Sequence, residues 1–190
     1  MRAVLGYLLF AGAALAQSPE PLPDFTSCKD AEIAQFERDL ARARTPDYQG
    51  LAPHVDVRGI DVCGVGSIIL CDRTEAPLPC QHLLADKQEA LRGEILLSLP
   101  APEAAANSGR LYGAVFALAA GSSAGDDCAG STPVMEAWCE AREATRRVEM
   151  AVLAYQLARD KGDIAPAFEL GWAQKPAPVR PKARKLEAGE

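Results

Sequence analysis

Histidine is nearly missing from this 190-residue chain: only His54 and His82 are present, and no two cysteines stand in Cys-x-x-Cys spacing. A zinc site wants closely spaced Cys and His ligands, so both absences argue against one. Haem attached through Cys-x-x-Cys-His is excluded outright. No histidine follows His82, which removes the base that an α/β-hydrolase carries after its serine. Aromatics are sparse as well, with five Phe, four Tyr and two Trp. That leaves few rings for the exposed platforms of a sugar site. Long apolar runs are lacking too. The one that opens the chain, Val4 to Ala14, stops short of the roughly 20 residues needed to cross a bilayer, and none later matches it.

That opening run has another reading. Arg2 precedes it, and Ala14-Leu15-Ala16 places small residues where a signal peptidase cuts. Residues 1–16 are therefore expected to be a cleaved signal peptide, with the mature chain starting at Gln17 in the periplasm or outside the cell. The mature chain holds 19 basic and 26 acidic residues, a net charge of −7. Its last segment, 173–190, alternates proline with positive charge; five basic residues against two acids give it +3, so residues 17–172 carry −10. The tail composition predicts disorder. An acidic body argues against nucleic acid, whose phosphates need a basic face. It suits a basic partner better.

Six cysteines remain: Cys28, Cys63, Cys71, Cys80, Cys128 and Cys139. An even number in an exported chain reads as three disulfides, and six cysteines allow fifteen pairings. Gly130 lets the chain fold back, and Cys139 falls in the second turn of a helix, which favours Cys128 with Cys139.

Periodicity predicts a mainly α fold: a single domain over 17–172, a bundle of about four helices braced by disulfides, with a short β-like stapled loop. Ile33, Phe36, Leu40 and Ala43 give one helical face over about 28–44. Between 48 and 79, alternation at His54–Arg58 and the β-rich run Gly66–Leu70, bracketed by Cys63 and Cys71, suggest a hairpin or stapled loop. Helices follow at about 80–98 and 103–120. The second of these is so apolar from Leu111 to Ala120 that burial on most sides is expected. Thr132 and Pro133 then open a helix of about 29 residues that ends at Lys161-Gly162. Trp138, Ala141, Thr145, Val148, Val152 and Tyr155 form its seam, and Glu143 with Arg147 an ion pair on the wet side.

Catalytic patterns weaken under inspection. Gly121-Ser122-Ser123-Ala124-Gly125 spells the nucleophile elbow, but a helix feeds it where the motif needs a strand. Cys80-Gln81-His82 could pair a thiol with a base, yet a disulfide cysteine beside a surface histidine explains it. His54, Asp56 and Asp61 could begin a metal site, but further ligands are missing. No catalytic, cofactor or metal residue is assigned. A carboxylate pair for sugar hydrolysis cannot be picked out among 26 acids.

Cys128, ten residues, Cys139, and then Thr145, Val152 and Tyr155 on one helix resemble the C-terminal part of the LprI-type lysozyme-inhibitor family. The resemblance covers residues 80–158, with Asp86 and Leu91 as looser echoes. It implies a small, exported, helical, disulfide-linked protein that binds a lysozyme without being an enzyme. The expected function is thus a non-catalytic binding protein with a basic exported partner. Its rivals are a small secreted hydrolase and an envelope assembly factor whose basic tail touches a membrane or an acidic partner.

Overall fold

The computed structural model describes residues 24–48, 55–105, 107–121, 128–175 and 177. The elements in order are α1 (Phe25–Ala43), a 3-10 turn (Pro46–Tyr48), α2 (Arg58–Asp72), α3 (Pro77–Ser98), α4 (Gly109–Ala120), α5 (Pro133–Lys161) and the short α6 (Ala167–Leu170). Among the described residues none is in a strand, and no helix is long and apolar enough to cross a membrane. The expected signal peptide and most of the tail lie outside them.

The axis of the fold is α5. Thr132 caps it by accepting the Met135 N–H, and Pro133 occupies the first turn. Gly162, at φ 81°, closes it: the Asp163 N–H reaches Ala158 O at 2.9 Å and the Gly162 N–H reaches Arg159 O at 3.2 Å. A left-handed residue satisfies the last carbonyls in this way. At 1.5 Å per residue the helix is about 43 Å long, and α2, α3 and α4 all pack along it. Its second half is interior on nearly every side, with Ala151, Val152, Ala154, Tyr155 and Ala158 fully buried. Alanine at these places keeps the neighbouring helices close.

Two contacts show how near they come. A Cβ added to Gly64 of α2 would lie 2.2 Å from Thr145 Cγ2, so only glycine fits at this crossing. Further along, the Gln156 amide donates to Asp56 O at 3.0 Å, which makes α2 antiparallel to α5. In contrast α3 runs parallel to α5: Gln88 Nε2 donates to Thr145 Oγ1 at 2.9 Å, and Arg147 reaches Glu89 at 3.1 Å. On the outer side of α2 lies α1, joined to it by Cys28–Cys63.

Tyr155 gathers segments distant in sequence. Its hydroxyl donates to Glu37 of α1 and accepts the Ala167 N–H of α6 at 2.8 Å. Its ring meets Phe36 and Trp172 edge-on, at 6.1 and 4.7 Å. Arg159 completes the cluster by binding Glu37 through two nitrogens. Burial holds the phenol far above its ordinary pKa, and the Glu37 charge adds to this.

Several expectations need correction. The β-like stapled loop is absent among the described residues, because Arg58–Asp72 is helix α2. Ile60, Cys63, Gly64, Ser67, Ile68 and Cys71 recur at helical steps and are all buried, so tertiary packing overrides the β-rich propensity of Ile68-Ile69. Cys63 and Cys71 share one face of this helix but serve different neighbours: Cys63 bonds Cys28 on α1, and Cys71 bonds Cys80 on α3, with Cα atoms 5.6 and 5.4 Å apart. The expected four helices thus fall short by α2 and the one-turn α6. The third expected helix starts only at Gly109, and it buries a single face through Tyr112, Val115 and Ala119, while Leu111 and Leu118 are 62% and 57% exposed. The Glu143–Arg147 pair is on no wet side: those side chains are 14% and 23% exposed. Cys128 does bond Cys139, with Cα atoms 6.3 Å apart. Among the described residues no cysteine is free. Three disulfides are compatible with an extracellular or periplasmic location.

Candidate functional site

A groove of about 900 Å³ lies between α1 and α3, floored by α2. Phe25, Leu70, Leu84 and Leu91 supply apolar surface, and the Cys71–Cys80 bridge is part of the lining. The first turn of α1 borders the groove because Asp24 starts that helix, accepting the Ser27 N–H at 2.8 Å and the Ser27 hydroxyl at 3.0 Å. These bonds hold the Asp24 carboxyl below its ordinary pKa, and Lys87 on α3 adds a smaller lowering. Asp24, Lys87 and Glu94 are exposed at the rim.

Lys29 is the unusual lining residue. It is 3% exposed, and a buried ammonium is tolerated only when paired and hydrogen-bonded. Its Nζ lies 2.6 Å from Asp30 Oδ1, donates to Trp172 O at 2.7 Å and sits 5.8 Å from the Trp172 ring centre. In this way it ties the segment after α6 onto α1. The Gln174 N–H continues the tie by donating to Asp30 Oδ1 at 3.3 Å. Trp172 is 4% exposed, and its indole Nε1 is buried without an acceptor among the described residues. An unmet buried donor costs about 1–3 kcal/mol.

Three hydroxyls of the groove serve local acceptors: Ser27 donates to Asp24, Ser67 to Cys63 O and Thr74 to Cys71 O. No imidazole stands among its lining residues to activate them.

The residues singled out from the sequence are scattered. Cys80 is in a disulfide, Gln81 turns inward to donate to Asp72 at 2.6 Å, and His82 faces out with Nδ1 2.7 Å from Glu140 Oε2. That separates the thiol from the base. Gly121 ends α4, so a helix does feed the would-be elbow; Ser122–Asp127 lie outside the described residues, as does His54. Asp56 is bound by Arg58, and Asp61 pairs with Arg142. Among the described residues no group of three or more His, Cys, Asp or Glu is placed to hold a metal. The six cysteines act as three clamps on the frame.

One carboxylate pair escaped the sequence reading. Glu149 on α5 has its pKa raised, first by burial and then by the negative charge of Asp61 on α2, with Arg142 and Arg146 opposing. It borders a smaller hollow of about 340 Å³ with Leu118, Arg146, Arg147 and Met150. Residues 88 positions apart carry no sequence signal of such proximity. Lys29, too, reads as an ordinary surface charge between Cys28 and Asp30.

No protein-family model matches the chain, and neither the curated proteins nor the solved structures contain a match to it.

Proposed function

We propose that the chain is an exported, non-catalytic protein that binds a basic exported partner, with a lysozyme-like cell-wall hydrolase as the instance its residue pattern suggests. One observation carries this reading. The residues that resemble the inhibitor family are all spent on the frame: Cys128 and Cys139 are bonded to each other, and Thr145, Val152 and Tyr155 are fully buried. What such a frame offers a partner is its surface, and the body has a net charge of −10. Lysozymes are commonly basic, and opposite charge speeds encounter and suppresses wrong partners.

The test is titration of the mature chain, with and without residues 176–190, against basic lysozymes. Screening shortens from about 10 Å at 0.1 M salt to about 3 Å at 1 M, so affinity should fall as salt rises. Removing the tail should leave it unchanged, because that segment has the wrong sign for a basic partner. Binding that is insensitive to salt removes the electrostatic basis of the proposal.

A hydrolase is the second reading, favoured by Asp61 and Glu149. Sugar hydrolysis uses one carboxyl held protonated and another held ionised. Burial and the nearby charge of Asp61 raise the Glu149 pKa, which is the tendency the acid needs, and Asp61 itself pairs with Arg142. Peptidoglycan cleavage lost in Glu149→Gln or Asp61→Asn would replace the binding reading with this one.

A further inference from the structure

We infer that the groove between α1 and α3 is where the basic partner docks, by receiving a protruding apolar segment of that partner; the inference rests on the binding reading above. Two features converge here. The groove, at about 900 Å³, lies within the range of preformed ligand pockets. Phe25, Leu70, Leu84 and Leu91 give it an apolar stretch beside polar lining such as Ser67 and Thr74, and Leu83 adds an apolar side chain that is 55% exposed.

Charge selects the partner class. The exposed rim has Asp24 and Glu94 against Lys87, a net of −1, and the Lys29 ammonium is already neutralised by Asp30. A free anion therefore gains little here, whereas an apolar segment flanked by lysine or arginine gains at both carboxylates. A disulfide within the lining and the Lys29–Trp172 tie hold the site in shape, which lowers the ordering cost of association.

The experiment titrates the mature full chain with a purified basic lysozyme at 0.1 M salt, with polylysine as a control for charge alone. Ala90→Trp fills the groove from an exposed position of α3, and Leu83→Lys places a cation on its apolar edge. Each should weaken lysozyme binding at least tenfold while leaving the circular dichroism and thermal midpoint of the chain unchanged. Lys87→Glu should tighten binding severalfold, with the gain vanishing at 1 M salt. Val134→Ser with Met135→Ser alters exposed apolar residues outside the groove and should change nothing. Wild-type binding that persists equally in Ala90→Trp and Leu83→Lys overturns the groove and leaves the binding reading standing. A tenfold gain on deleting residues 176–190 also overturns it, by making the tail of the chain the occupant. No binding by the wild type, or binding equal to that of polylysine, overturns the parent reading and this one together.

Discussion

The two ends of α5 contrast in what surrounds them. At its start, Pro133, Val134, Met135 and Glu136 face solvent, Cys128–Cys139 pins the helix covalently and His82 contacts Glu140. Toward its end, Tyr155 and four alanine or valine neighbours are fully buried, and α1, α6 and Trp172 close around the phenol. One continuous helix thus passes from a covalently pinned, wet end to a noncovalent core. Stability is expected to concentrate at the C-terminal end, leaving the N-terminal end tolerant of change.

Breaking the buried end should have the largest effect. Tyr155→Ala removes the ring contacts with Phe36 and Trp172, takes one hydrogen bond from Glu37, which Arg159 still holds, and leaves the Ala167 N–H unmet, at a cost of about 3–5 kcal/mol. Tyr155→Phe keeps the ring and leaves only the polar partners unmet, about 1–3 kcal/mol. Urea unfolding of both variants separates packing from hydrogen bonding. Equal losses would show that the polar cluster with Glu37 and Arg159 dominates.

The pinned end should come next. Cys128→Ala with Cys139→Ala opens a loop whose ends are 11 residues apart, worth roughly 3 kcal/mol in the chain-entropy model. Because few buried contacts depend on that loop, the loss should appear in the unfolding midpoint and leave near-ultraviolet signals of the folded protein intact. Collapse of those signals would mean that the N-terminal end organises the core, and the contrast between the ends would fail.

At the midpoint of α5, Gly64→Ala presses a methyl group onto Thr145. Overpacking of this kind costs about 1–3 kcal/mol. The same substitution at Gly93, where nothing lies within 4 Å, should be neutral or stabilising, since alanine is the better helix former. The pair, measured together, distinguishes close helix approach from helix propensity.

How much of this was legible in the sequence depends on whether the cause was local. Thr132, Pro133 and Gly162 are local signals, and α5 begins and ends where they stand. α2 was misread because Gly66–Leu70 has strand-like composition, while the burial that makes it a helix comes from α1, α3 and α5. The apolar run of α4 gave its helicity but not its exposure, because periodicity cannot say how many neighbours a helix has. The groove was illegible for the same reason. Lys29 and Trp172 are 143 residues apart, and nothing near either forecasts their contact.

Acidity supplies the smallest test, and it carries opposite signs at two places on the axis. Just past the C-terminal end, Asp163 accepts from the Ser108 hydroxyl at 2.6 Å and the Asn107 amide at 2.8 Å, tying the start of α4 to the end of α5. Those bonds lower its pKa below the ordinary 3.8. A depressed carboxyl contributes stability that is present above its unfolded value and lost as pH falls through the folded one, so the Asp163 contribution should disappear in the window below 3.8. Glu149 is the reverse case. Its raised folded pKa, caused first by burial, gives a contribution that is present below the ordinary 4.5 and lost as pH rises through the folded value. Asp163→Asn should therefore flatten the decline in stability toward pH 2.5, and Glu149→Gln the decline above pH 4.5, each leaving the other limb unchanged. Both groups are only half-buried, so the slopes should be shallow and are best read by urea unfolding at closely spaced pH. If both variants flatten the same limb, the assignment of the two carboxyls is wrong. If neither changes a slope, their hydrogen bonds and burial do not distinguish the folded from the unfolded chain.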